Sequence, residues 1–240
     1  MPAPVFNMQK AEVELLGITK TDIQEIFKQT LKDFKEAKTR IIYLDASYLY
    51  TFHLDDFQYI RKLNLLVRRD PLLVREWHKL LERWYNDQTV RDNNGYSIKP
   101  IKISRSFDRV VNEGLEMLAG FVTGSGSPSI FDCRGIGDSD IDEASPADMG
   151  LNNLVDMINV NDNPDGGSLS RDGSTIYSIG NHSKTVPTPA NGVFTECGMF
   201  DGLDELIGRI LDHSVFEDPV PHTQNADAPG STTVIYMCAS

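Results

Sequence analysis

The stretch Gly192-Val193-Phe194-Thr195-Glu196-Cys197-Gly198-Met199-Phe200-Asp201-Gly202 decides how the rest of the chain is read. In an extended strand successive side chains point to opposite faces. Phe194, Glu196, Gly198 and Phe200 would then share one face, with Thr195, Cys197 and Met199 on the other. Glycine bounds the stretch at both ends, and short β-like runs precede and follow it. A carboxylate at such a position needs hydrogen-bond donors, because burying it unpaired costs several kcal/mol. Glu196, Gly198 and Phe200 are therefore read as structural residues of a central strand. No catalytic residue is assigned.

Working outward, the strand lies in an acidic half. Residues 121–240 hold 18 Asp and Glu against 4 Lys and Arg, a net −14, whereas residues 1–120 hold 17 against 19, a net +2. So acidic a segment repels phosphate backbones, which makes the C-terminal half a poor nucleic-acid binder. The charge shift predicts a domain boundary near Thr123, giving one domain over 1–123 and another over 124–240. A chain of 240 residues, 40% hydrophobic and 24% charged, has the composition of a globular protein. No apolar run approaches the roughly 18 residues of a membrane span. Met1-Pro2-Ala3-Pro4 has neither the basic flank nor the apolar stretch of a signal peptide, so synthesis in a cytoplasm is expected. The three cysteines, Cys133, Cys197 and Cys238, are too few and too widely spaced for a disulfide framework or a zinc site. They are read as buried reduced thiols.

The first half reads as mainly helical. Ile23, Ile26, Phe27, Leu31 and Phe34 recur at helical spacing behind the capping residues Thr19 and Thr21, predicting a helix ending near Thr39. Residues 41–50 form an apolar, aromatic run that periodicity cannot assign to strand or helix. Asp55 starts a helix through Phe57, Ile60, Leu63 and Val67, and Asp70-Pro71 starts another with Leu73, Trp77, Leu80, Leu81 and Trp84 on one face. Asp92-Asn93-Asn94-Gly95 is a tight turn. Tyr96 to Ile103, interrupted by Pro100, is an edge strand or extended arm. Ser104 or Ser106 then caps a helix with Val110, Val111, Leu115 and Leu118 inside. Beyond the Gly- and Ser-rich joint at 124–129 the texture changes to short strands between turn clusters: 129–136, 154–160, 175–179, 193–200, 206–216 and 232–238. Residues 217–230, with three prolines, read as a long loop. The whole predicts an α+β protein, a mainly helical N-terminal half followed by an antiparallel β-sandwich-like C-terminal domain.

Candidate sites are sparse. The stretch 161–172 partly matches a calcium loop, with Asn161, Asn163, Asp165 and Asp172 as oxygen ligands and Gly166 at the turn. Asn stands first where Asp is preferred, and Asp stands last where a bidentate Glu is usual. A plain turn loop, favoured by Asn, Asp and Gly on conformational grounds, is the competing reading, and no metal or cofactor is assigned. None of the five histidines, His53, His78, His182, His213 and His222, has metal-ligand spacing on a helix. No nucleophile elbow, phosphate loop or dinucleotide pattern occurs. Asp138, Asp140, Asp142 and Glu143 form an acidic run that reads as a solvated loop. Arg61, Lys62, Arg68, Arg69, Arg75, Lys79 and Arg83 interleave with packed leucines and tryptophans. Their charges would face water or an acidic partner, such as the second half of a neighbouring copy.

Four segments together carry a resemblance. Gly135-Ile136-Gly137-Asp138, a short helix-like Ser145 to Leu151, the strand Thr195-Glu196-Cys197-Gly198-Met199-Phe200-Asp201 and the apolar Ile207-Gly208-Arg209-Ile210-Leu211 follow one another in order. This order resembles virion structural proteins of tailed bacteriophages over about residues 130–240. The resemblance implies a non-enzymatic subunit of the neck, tail or baseplate, located in the virion and synthesised in the host cytoplasm. Its partners would be copies of itself, in a homo-oligomeric ring, and other virion proteins, with no membrane. Candidate arms for such contacts are 1–5, 96–103 and 217–230. The alternative is a carbohydrate- or receptor-binding β-sandwich module, which would need aromatic side chains exposed on its sheets.

Overall fold

The computed structural model describes residues 42–70, 73–87, 90–91, 94–106, 109–124, 130–163, 167–172, 175–202 and 208–237. Ile42–Ala239 form one compact unit. The helix expected before Thr39, the arm at 1–5 and Cys238 lie outside the described residues, as does most of the joint at 124–129.

The architecture is mostly β. Twelve strands in this part of the chain are β1 (Ile42–His53), β2 (Val90–Arg91), β3 (Ser97–Ile98), β4 (Lys102–Ser106), β5 (Arg109–Val110), β6 (Cys133–Gly137), β7 (Leu154–Asn159), β8 (Gly167–Asp172), β9 (Thr175–Asn181), β10 (Val193–Phe200), β11 (Ile210–Pro221) and β12 (Asp227–Met237). Three helices accompany them: α1 (Leu54–Arg69), α2 (Val74–Tyr85) and α3 (Asn112–Thr123). One five-stranded sheet has the order β4-β1-β12-β9-β8, a second the order β5-β11-β10-β6-β7, and β2 pairs with β3 alone. All the pairings are antiparallel.

The ambiguous run at 41–50 belongs to β1. Twelve residues long, β1 lies between β12 and β4 in the first sheet. Its apolar character is continuous because both faces are covered. Tyr48, Tyr50 and Phe52 meet Phe57 and Ile60 of α1 and Trp77, Leu81 and Trp84 of α2. Leu49, on the other face, meets Ile136, Phe194, Cys197 and Phe216 of the second sheet. The helices thus cover one face of the first sheet, and the two sheets pack together across the other.

This placement corrects the expected organisation. The described part of the first half is not a separate helical domain: beside its three helices, β1 and β4 join the first sheet and β5 joins the second. The compact unit runs straight across Thr123, so the charge asymmetry does not coincide with a break in packing. Ser104 and Ser106 lie in β4 and cap no helix. Ser106 Oγ instead donates to the Val215 carbonyl at 2.9 Å, and α3 begins only at Asn112. Pro100 separates β3 from β4, where it withholds no ladder hydrogen bond. The expected loop at 217–230 is the end of β11, a turn at 224–226 and the start of β12. Pro219 and Pro221 are tolerated because β11 beyond Phe216 pairs on one side only, with Phe194 opposite Val220 and Val193 opposite Pro221, while Pro229 lies on β12 opposite Thr51.

Candidate functional site

β10 spans Val193–Phe200 between β11 and β6. Its alternation is not uniform. The register with β11 breaks between Phe194 and Glu196, where two steps along β10 answer five along β11, from Val220 to Val215. Across this break the alternation fails, and Phe194 joins Leu49, Cys197 and Phe216 between the sheets. Thr195 and Glu196 both reach the segment 138–153 instead: Thr195 Oγ1 accepts from Ser139 N at 2.6 Å and donates to the Ser139 carbonyl at 3.2 Å. Phe200 packs on the outer face of the second sheet with Val111, Cys133 and Ile210.

Glu196 is fully buried. Its Oε1 accepts the backbone N–H of Asn153 at 2.9 Å and its Oε2 that of Asn152 at 3.2 Å. Oε2 also meets His213 Nε2 at 2.9 Å, and His213 Nδ1 meets Asp148 Oδ2 at 2.6 Å. Asp148 Oδ2 in turn accepts the N–H of Ser145 at 2.8 Å. One buried imidazole therefore bridges two carboxylates. Burial alone would lower the His213 pKa, but hydrogen bonds and charge from Glu196 and Asp148 outweigh it and hold the pKa above the usual histidine value. Gly137 completes this seat. A Cβ there would collide with the Asn153 carbonyl and stand 2.8 Å from Glu196 Oε1, while Gly198 would drive one 2.7 Å from the Asp212 carbonyl.

A second polar cluster lies between the sheets. Arg134, fully buried on β6, donates from Nη1 to Thr233 Oγ1 at 2.6 Å, from Nε to Ser231 Oγ at 3.3 Å and from Nη2 to Cys197 Sγ at 3.2 Å. Thr233 Oγ1 lies 2.7 Å from Ser47 Oγ and donates to Asp212 Oδ2 at 3.3 Å. Asp212 Oδ1 accepts the N–H of Met199 at 2.9 Å. Desolvation raises the Asp212 pKa, and the positive charge of Arg134 and these hydrogen bonds oppose the rise.

The other sequence candidates are dispersed. The calcium-loop candidates Asn161, Asn163, Asp165 and Asp172 are only partly described. Asn163 is buried and its Nδ2 donates to the Asn181 carbonyl. Asn161 sits in a turn where its N–H bonds Asn159 Oδ1 at 2.9 Å. Asp172 ends β8, a six-residue strand. Asp165 lies outside the described residues. Residues 145–151 form a turn at 146–147 and no helix. In the acidic run Asp138 is buried, accepting from Asn153 Nδ2 and Ala190 N, while Asp140, Asp142 and Glu143 are exposed. Cys133 and Cys197 are buried reduced thiols, and burial, with Asp132 alongside, pushes the Cys133 pKa up to about 12.

Three histidines join carboxylates that sequence spacing did not connect. His182 Nδ1 meets Asp156 Oδ2 at 2.7 Å, and His222 Nδ1 meets Asp227 while its Nε2 lies 2.9 Å from the Val186 carbonyl. His213 and Asp148 are 65 positions apart, and no Asp or Glu lies between Asp172 and Glu196 to mark His182. His53 is exposed. His78 on α2 lies against Tyr177 at 5.0 Å, and burial lowers its pKa to about 3. Two grooves remain. One, of about 440 Å³, is lined by Ser104, Arg105, Asp142, Glu143, Glu217 and Asp218 among others. The other, of about 330 Å³, lies between α1, α2 and the β2–β3 hairpin and carries Lys79, Arg83 and Arg91. Compared with known proteins, the chain matches no family model, no curated protein and no solved structure.

Proposed function

We propose that this chain is a non-enzymatic structural subunit of a tailed-bacteriophage virion, built into the neck, tail or baseplate. The observation that carries the reading is the Glu-x-Gly-Met-Phe-Asp strand. Its glutamate is fully buried and occupied by two backbone N–H groups and a histidine, so its chemistry is architectural. The interior polar side chains answer one another in the same way: Arg134 and Asp212 through Thr233, His182 with Asp156, and His222 with Asp227. Two grooves of opposite charge on one compact unit favour contacts between copies.

A glycan-binding reading draws less support, because Phe194 and Phe216 face inward between the sheets. Of the exposed tyrosines, Tyr85 sits on α2 and Tyr96 beside the β2–β3 turn. The test is light scattering after size exclusion at low and high salt, with negative-stain imaging and mass spectrometry of purified particles. Rings that loosen in salt, or the chain found in particles, support the proposal. A monomer at every concentration that is absent from particles refutes it.

A further inference from the structure

We propose that His213 is a pH-sensitive clip: its doubly protonated ring ties Asp148 to Glu196, holding segment 138–153 on the outer face of the second sheet, and losing one ring proton in alkaline solution frees that segment. The inference starts from hydrogen-bond valence. An ionised carboxylate only accepts, so a ring with a carboxylate at each nitrogen satisfies both contacts only as imidazolium, donating twice. Glu196 and His213 are fully buried, and Asp148 is the partly exposed member of the three. Neutral imidazole has one N–H. Its bare nitrogen would face an oxygen lone pair at 2.6 or 2.9 Å, and two carboxylates would share the site with a single donor.

The charged groups around the ring give the direction. Glu196 approaches from β10 and Asp148 from segment 138–153. Asp212 is its neighbour on β11, with Arg134 of β6 near that carboxylate. From α3, Glu113 accepts the N–H of Ile210, and Arg109 of β5 stands opposite His213 in register. Because the folded pKa is raised above the unfolded value of roughly 6.5, the stabilisation is complete below that value and is lost as pH rises through the folded pKa. The clip therefore holds below the folded pKa and opens as pH rises through it. Leu151, which packs against the Val111, Cys133, Phe200 and Ile210 cluster, lies on the same segment, so lifting would uncover the outer face of the sheet.

The test uses the full chain and two readouts. Ring ¹⁵N shifts of wild-type protein at pH 7 should show His213 protonated on both nitrogens. Amide exchange, corrected for its intrinsic base dependence, should show peptides from 138–153 losing protection at least tenfold above the His213 pKa while β12 peptides do not. Asp148→Asn removes one carboxylate at a partly exposed position and should move that transition to lower pH. A neutral single tautomer at pH 7, protection of 138–153 that is flat from pH 6 to 10, or an unmoved transition in Asp148→Asn would each overturn the clip.

Discussion

Arg134→Met is the perturbation that most directly tests the polar core between the sheets. Methionine keeps most of the stem that packs against Gly180, where Arg134 Cβ and Cγ lie 3.1 and 3.0 Å from the position of a glycine Cβ. It deletes three donor contacts, to Thr233, Ser231 and Cys197. Charge-assisted hydrogen bonds contribute about 1.5–3 kcal/mol each, but desolvating the guanidinium offsets several kcal/mol, so the cluster as a whole adds little net stability. The asymmetry appears when one member is removed. Asp212, fully buried, would keep its bond from Met199 N and lose the cation that opposes its desolvation. Stranding such a charge costs about 3–5 kcal/mol, a large share of a typical total of about 5–15 kcal/mol. Asp212→Asn in the same background removes that charge and should recover about 1–3 kcal/mol, a positive coupling in a double-mutant cycle. Urea unfolding with an unchanged m-value is the assay. If Arg134→Met stays within about 1 kcal/mol of wild type, or the cycle is additive within about 0.5 kcal/mol, the reasoning about a compensated buried pair is wrong.

Other outcomes follow from the same coordinates. Gly137→Ala should destabilise by about 1–3 kcal/mol, because its methyl collides with the Asn153 carbonyl that lines the Glu196 seat; a drop in melting temperature checks this, and an unchanged value counts against it. Trp84→Ala should cost about 3–5 kcal/mol, since Trp84 packs edge-on against Phe52 and Trp77 and its Nε1 donates to the Ile98 carbonyl at 2.9 Å. Trp84→Phe should cost less in the same denaturant titration. His78, held neutral by burial with a pKa near 3, contributes stability that is complete above pH 6.5 and erodes on acidification toward pH 3. That loss amounts to as much as about 1.4 kcal/mol per pH unit, and His78→Phe should flatten the acid limb of stability against pH.

Helices α1 and α2 were legible because their apolar residues recur at helical spacing and Asp70-Pro71 punctuates them. The strand β10 was legible to the residue, since turn formers bound it and its apolar positions are dense. β1 was not, because a strand covered on both faces shows no period, and only its pairing with β12 and β4 separates it from a buried helix. Prolines hid the continuation of β11, for a one-sided pairing that tolerates them is invisible until the neighbours are known.

The sequence by itself determined the local grammar: where helices start, where the central strand lies, and that a carboxylate there had to find donors. Only the tertiary structure decided which donors they were. The register break between Phe194 and Glu196 sends those two side chains to opposite sides of one strand, and sheet packing brings Asp148 to His213 and Arg134 to Thr233. Side-chain alternation is a property of neighbouring residues, whereas a bulge, a register and a hydrogen bond spanning 65 positions are set by strands that meet only once the chain has closed on itself.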